Sequence, residues 1–267
     1  MNVMEKQIGV IVGMMNDDLM NGVVKKSSPN PTNWQFSELI TSALTSAKDA
    51  KLPRIFSLRE KFPPCYKQIY KNCTTNAVLA CDAYYYHNPK GSWIPSTTFT
   101  WWLQRKEVGD EKRDVGSSVE VALDMVRKYG VCNSTVWAND APYNKKPSKE
   151  AFADGLKGKE LTKYYQVRNL TQIKKALVKG YPVAAALCWA FKSIDGNSWI
   201  FNTPTKSEVK KCHNGHAIVI VGYNDELELF EIRNSRGTEW GDNGYGYITY
   251  EAMKRCIWYD DSYAVVK

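Results

Sequence analysis

The chain has 267 residues, a formal charge of +8, 43% apolar and 12% aromatic residues, enough for one large domain or two lobes sharing a cleft around a real core. This composition excludes a disordered or fibrous protein, and no apolar run approaches the ~18 residues of a membrane span. The basic residues are scattered as pairs (Lys25-Lys26, Lys145-Lys146, Lys174-Lys175, Lys210-Lys211), without the aromatic interleaving or zinc-finger spacing of nucleic-acid binders, so a solvated basic surface is the reading adopted.

Residues 1–51 differ from the rest. An apolar patch at Ile8, Val10 and Val12 is too short and too acid-flanked for a secretory signal. After a polar stretch to Pro31, the run Trp34–Ala47 places Phe36, Leu39, Ile40, Ala43, Leu44 and Ala47 on one helical face, with Asn33 as N-cap. This segment is expected to be either a structural extension or an inhibitory prosegment. Leu52-Pro53 opens the body, and Pro63-Pro64 keeps Arg59–Gln68 out of a helix.

Asn72 to Tyr86 reads as an amphipathic helix burying one face through Ala77, Val78, Cys81, Tyr84 and Tyr85, with Asn72 as N-cap and Cys73 at the first helical position. Pro95–Arg105 and Asp114–Tyr129 are further helices, the latter stopped by Gly130. A strand is expected within Leu161–Val167, a short helix over Leu170–Lys179, a buried strand over Pro182–Phe191, and another strand over Tyr245–Tyr250. Between the last two lies His216–Asn234, two β-rich runs around Asn224-Asp225, which predict an antiparallel hairpin. A turn centred near Asp225 sets His216 opposite Asn234. Helices first and strands second imply an α+β protein of two lobes, a helical one over about 52–160 and a β one over about 161–267.

Seven cysteines at positions 65, 73, 81, 132, 188, 212 and 256 leave at least one thiol unpaired within a monomer, and their spacing indicates neither a zinc site nor a dense disulfide framework. A reducing compartment is favoured on that ground. Cys81 and Cys188 read as buried small hydrophobes. Cys73 is different, because the unpaired N–H groups of a helix start favour a thiolate and are expected to lower its pKa below the ~8.5 of a free thiol. Its own N–H points out of the helix end, where it can receive a developing oxyanion. Of three histidines, His87 ends its helix and His213 sits in a loop; Cys212, His213 and His216 form no complete metal-ligand set. His216 faces Asn234, which can fix its tautomer and orientation.

Gly215-His216-Ala-Ile-Val-Ile-Val-Gly-Tyr223, with Arg233-Asn234-Ser-Arg-Gly-Thr-Glu-Trp-Gly-Asp-Asn-Gly-Tyr-Gly-Tyr-Ile248, resembles the His and Asn blocks of the papain-like cysteine peptidases. Cys73-Thr-Thr-Asn-Ala77 after Gln68 resembles the nucleophile block in a variant where Thr follows the Cys, and Leu52-Pro53, Leu58-Arg59, Pro95-Ser96, Tyr129–Cys132 and Gly180–Val183 match the same variant. The resemblance covers about 52–267 and implies a papain-like two-lobe fold, a helical N-terminal lobe and an antiparallel β C-terminal lobe with the active-site cleft between them. It implies Cys73 as nucleophile, His216 as general base then acid, Asn234 as its orienting group, and Gln68 with the Cys73 N–H as oxyanion hole. The implied reaction is peptide hydrolysis through an acyl-thioester, with no metal or cofactor, on a peptide or protein substrate.

Two positions depart from the family pattern. Cys73 follows Gln68 by five residues, where the family has six, and the intervening Ile-Tyr-Lys-Asn is not Gly-rich. Arg236 stands where the family has a Trp over the Asn–His contact, which predicts a less shielded contact. These departures motivate the alternative of a papain-fold protein that binds peptides with weak or no hydrolysis. A monomer is expected, with neither nucleic-acid nor membrane partner. Sequons fall at Asn72, Asn133 and Asn169, and a glycan on Asn72 would sit at the mouth of the site.

Overall fold

The computed structural model describes residues 52–86, 93–157, 163–193, 199–212 and 215–267. The expected helix over Trp34–Ala47, His87 and His213 lie outside the described residues. In chain order the elements are β1 (Ile55–Ser57), α1 (Cys73–Tyr86), α2 (Thr97–Glu107), α3 (Val119–Tyr129), α4 (Lys149–Lys157), β2 (Lys163–Gln166), α5 (Leu170–Val178), β3 (Val183–Cys188), β4 (Ile200–Phe201), α6 (Lys206–Lys211), β5 (Gly215–Asn224), β6 (Leu229–Arg233), β7 (Tyr245–Thr249), α7 (Tyr250–Cys256) and β8 (Ile257–Val266).

Helix α1 is the central element, and it corrects the expectation of one buried face. Every residue from Cys73 to Tyr84 is buried, because α2 and α3 pack on one side of the helix while β3 and β5 pack on the other. A helix enclosed all round must satisfy its polar side chains internally. Thr75 Oγ1 therefore donates to Gln104 Oε1 on α2, Gln104 Nε2 donates to Thr74 Oγ1 at 3.1 Å, and Asn76 Nδ2 donates to Asn72 O at 3.0 Å and Asn72 Oδ1 at 2.9 Å. Asn72 itself is 1% exposed, so this fold has no room for a glycan there.

The sheet runs in the order β2-β8-β3-β5-β6-β7-β4, antiparallel except that β4 runs parallel to β7. One edge of β5 pairs with β3 over Gly215–Ile220 and then with β1 over Gly222–Asn224. The start of the body thus crosses to the strand-rich lobe. Gly222 makes that crossing possible: a methyl group there would meet Phe56 O at 2.8 Å. In the other direction, Asp261 of β8 reaches the N-terminus of α3, accepting from Val119 N and Glu120 N at 3.0 Å each. With Ser118 as N-cap, it fills the orphan donors of that helix start. The helix expected from Asp114 accordingly begins at Val119, and it ends at Gly130 with φ +70°.

The hairpin differs in register from its expectation. Asn224 Oδ1 accepts from Glu226 N and Leu227 N, closing a turn over 225–228, and Val219 pairs with Arg233 and Ile220 with Ile232. The shift is three residues beside the turn and, past a bulge between Ile220 and Gly222, two residues at the His216 end, so Asn234 lies diagonal to His216 rather than opposite. A shift of two preserves the face on which each side chain points, since strand side chains alternate with period 2.

Candidate active site

The hairpin delivers the first contact. Asn234 Oδ1 lies 2.8 Å from His216 Nε2, and the same oxygen accepts the Ser235 N–H at 2.8 Å. A backbone N–H can only donate, so the atom facing it is the amide oxygen. That oxygen in turn requires the proton on His216 Nε2. Nδ1 is left as the basic atom of the ring, and it makes no hydrogen bond. The tautomer needed to accept a proton from a thiol is therefore set by one amide and one backbone group.

Cys73 comes to the same place from the other lobe. Its sulfur receives the N–H of Ala217, the residue following His216, and the N–H of Thr74 and of Cys73 itself at the helix start. Those groups favour the thiolate, as the helix-start argument expects, but enclosure outweighs them. Burial pushes the Cys73 thiol up to about 11 and holds the His216 ring down to about 4; its bond to Asn234 opposes that fall and Arg236 reinforces it. The expected lowered thiol pKa is thus overturned, since desolvation penalises whichever form is charged. In this state the pair rests as thiol and neutral imidazole.

The expectation that Arg236 leaves the His–Asn contact poorly shielded is also overturned. His216 is 0% and Asn234 4% exposed. Trp189, just past β3, meets the imidazole edge-on with centroids 5.0 Å apart. Trp189 packs in turn on Phe191 and Phe201, and Phe201 stacks on Trp240. Aromatic residues distant in sequence exclude water where a neighbouring Trp was missing. Trp189 and Trp240 were legible only as apolar residues, since nothing in their spacing places them over His216.

Gln68 sits beside this group. Its N–H donates to Ser235 O at 2.8 Å, its Oε1 accepts from Ser235 Oγ, and its Nε2 donates to Tyr70 O at 3.1 Å. The short spacing to Cys73 is accommodated by this tie to Ser235, a residue sequence reading did not single out. Of the four expected site residues, His216 and Asn234 are in direct contact, Cys73 meets the backbone of the residue after His216, and Gln68 is tied to Ser235, the residue after Asn234. No cluster of metal-ligating side chains occurs among the described residues.

The sequence pattern described as papain family cysteine protease matches residues 66–266. An uncharacterised peptidase C1-like protein of Acanthamoeba polyphaga mimivirus is 29% identical over 67% of this chain and 62% of its own length. Peptidase 1 of the mite Dermatophagoides pteronyssinus is 26% identical over 50% of this chain and 41% of its own. The chain therefore spans 41–62% of the length of these relatives. Among solved structures, the fold matches xylellain, a cysteine protease from Xylella fastidiosa, with a TM-score of 0.75 at 24% identity, covering 93% of this chain and 97% of that one. It also matches procathepsin L 3 of the Tenebrio molitor larval midgut with a TM-score of 0.66 at 15% identity, over 94% and 77% of the two chains. With the helical lobe, the sheet and the His216–Asn234 contact in place, a match over this much of its length makes the chain a member of the papain family of cysteine proteases.

Proposed function

We propose that the protein hydrolyses peptide bonds with Cys73 as nucleophile. Sγ attacks the carbonyl carbon as His216 Nδ1 takes the thiol proton. The imidazolium returns that proton to the departing amine, the C–N bond breaks, and an acyl-thioester remains. Water, deprotonated by the same nitrogen, then releases the acid and restores the thiol. Asn234 holds the ring, and the Cys73 N–H with the Gln68 amide receives the negative oxygen. The observation that carries this reading is the Asn234–His216 hydrogen bond, which leaves Nδ1 as the basic atom of the ring, while the backbone of Ala217, the next residue, meets Cys73.

Residues 1–51 act, in this reading, as a removable prosegment. Two features support it: Cys73 and His216 are enclosed, and proforms are among the structures sharing the fold.

A peptidyl epoxide or chloromethyl ketone tests the assignment. It is expected to modify Cys73 alone among the seven cysteines, and to do so no longer in His216→Ala. Even labelling of several cysteines would remove the peptidase reading. Binding of unmodified peptides without cleavage or labelling would leave a peptide-binding module.

A further inference from the structure

Three cysteines meet at the C-terminal end of β3. Cys188 is the last residue of that strand, and it pairs with Gly215 of β5 on one side. On the other side its neighbour Leu187 pairs with Ile257, the first residue of β8. Cys256 immediately precedes Ile257 at the end of α7, and Cys212, the C-cap of α6, lies shortly before Gly215. Directly opposed strand residues stand ~4.5–5.5 Å apart at Cα, inside the ~4.4–6.8 Å that a disulfide spans. The register therefore gathers three thiols at one corner of the sheet, and the Cys188 side chain hydrogen-bonds to those of both Cys212 and Cys256.

The three differ in access. Cys212 is half-buried, whereas the other six cysteines of the chain, Cys73 among them, are buried. Burial is the largest cause raising the Cys188 thiol, with Cys212 and Cys256 adding to it, and burial also pushes Cys256 up to about 12. Both inner groups are thus held as thiols, and a reagent in solution meets Cys212 first. The arrangement is not a metal-binding set among the described residues; it suits thiol–disulfide exchange.

We infer that Cys212, Cys188 and Cys256 form a redox-sensitive modification site: a small disulfide such as oxidised glutathione enters at Cys212, and the site ends as a disulfide between Cys188 and one of its two neighbours. The Cys212 thiolate attacks one sulfur of the oxidant, whose S–S bond breaks and whose other half departs as a thiol. Cys188 then gives up its proton and attacks Cys212 Sγ, expelling the second half as a thiol. Two protein thiols are oxidised and one small disulfide is reduced to two thiols. Cys256 can attack Cys188 Sγ in turn, which moves the bond inward and returns Cys212 to the thiol. A Cys188–Cys212 bond closes the chain that carries β4 and α6 onto the sheet, and such a cross-link restricts the unfolded chain.

The test treats the reduced full chain with oxidised glutathione and follows intact mass and non-reducing peptide maps. The expected product has lost two hydrogens, maps to Cys188 joined to Cys212 or Cys256, and has a higher denaturant midpoint that dithiothreitol reverses. Cys212→Ser is expected to slow formation of any internal bond by about tenfold or more, since the remaining thiols are buried. Cys188→Ser should stop at a glutathione adduct on Cys212, and Cys256→Ser should give the Cys188–Cys212 bond alone. The inference is overturned if the unmodified chain does not react, or keeps a lasting adduct on Cys212. A bond that leaves out Cys188 overturns it too, as do equal rates with and without Cys212. Because Cys212 is half-buried, its variant decides the matter even where loss of the enclosed Cys188 impairs folding. None of these readouts depends on peptide cleavage, so the peptidase reading stands or falls separately.

Discussion

His216 is enclosed and holds one proton on Nε2, and this has a consequence for stability. Its ring titrates near 6.5 when free and near 4 in the folded chain. Between those values the unfolded chain binds a proton that the folded chain does not, so stability falls as pH falls from about 6.5 to 4 and is insensitive to this group outside that window. The loss is about 3 kcal/mol at full extent, and denaturant midpoints for the native chain and His216→Gln should converge with acid across that window. Parallel curves would mean the ring is charged in the fold. Gln68 gives a second test at this scale: Gln68→Ala is expected to lower kcat by about 10²–10³ with little change in KM, the mark of a donor used only in the transition state. Equal kcat in the variant would confine Gln68 to anchoring Ser235. Cys73, His216 and Asn234 were legible because each combines a reactive side chain with a recognisable local context, a helix start or a strand end. The two-residue error in register did not matter, because an even shift keeps both side chains on one face. The tie from Gln68 to Ser235 was not legible, since a serine hydroxyl carries no periodic signal.

At the level of elements, the helices and the hairpin were readable from glycines and periodicity, whereas the caps Ser96, Ser118 and Asn169, each accepting a backbone N–H at a helix start, were not singled out. Strand β8 was not. It lies between β2 and β3 in the sheet, yet Asp260-Asp261-Ser262 in its middle breaks the apolar pattern that announces a buried strand. The break has a purpose, because Asp261, 0% exposed, is the acceptor that closes the start of α3 across the two lobes. Hydrogen bonds to a charged acceptor are each worth roughly 1.5–3 kcal/mol, and the helix start adds a favourable field. Asp261→Ala should therefore destabilise the fold by about 3 kcal/mol, seen as a lower denaturant midpoint at unchanged m-value, and Asp261→Asn by less, because one acceptor remains. A loss under ~1 kcal/mol would show that Ser118 and solvent suffice to cap α3. The short elements α6 and α7, of 6 and 7 residues, offer at most two turns of pattern and were passed over; α4 was passed over as well.

At the scale of the whole molecule, the enclosure of Cys73 conflicts with the chemistry proposed for it. A carbonyl must come within ~3–3.5 Å of the sulfur, and a sulfur in a residue that is 1% exposed has no space for one. Attack therefore needs the sulfur to become accessible. If residues 1–51 restrict that access, cutting the folded protein at a specific protease site placed after Lys51 should raise the rate at which a peptidyl chloromethyl ketone modifies Cys73 by about tenfold or more, the effect of removing ~1.4 kcal/mol of occlusion. Opening the site also changes its electrostatics in a definite direction. Desolvation is the largest cause holding the thiol up near 11, above the 9.0 of an ordinary cysteine, while the N–H groups of Ala217, Thr74 and Cys73 pull the other way. Readmitting water weakens the first and leaves the others, so the apparent pKa read from alkylation rate against pH should drop after the cut, to below about 9. His216 loses desolvation at the same time, its pKa rises, and the imidazolium then favours the thiolate further. An unchanged rate and an unchanged profile after complete cleavage would assign residues 1–51 to structure rather than to latency.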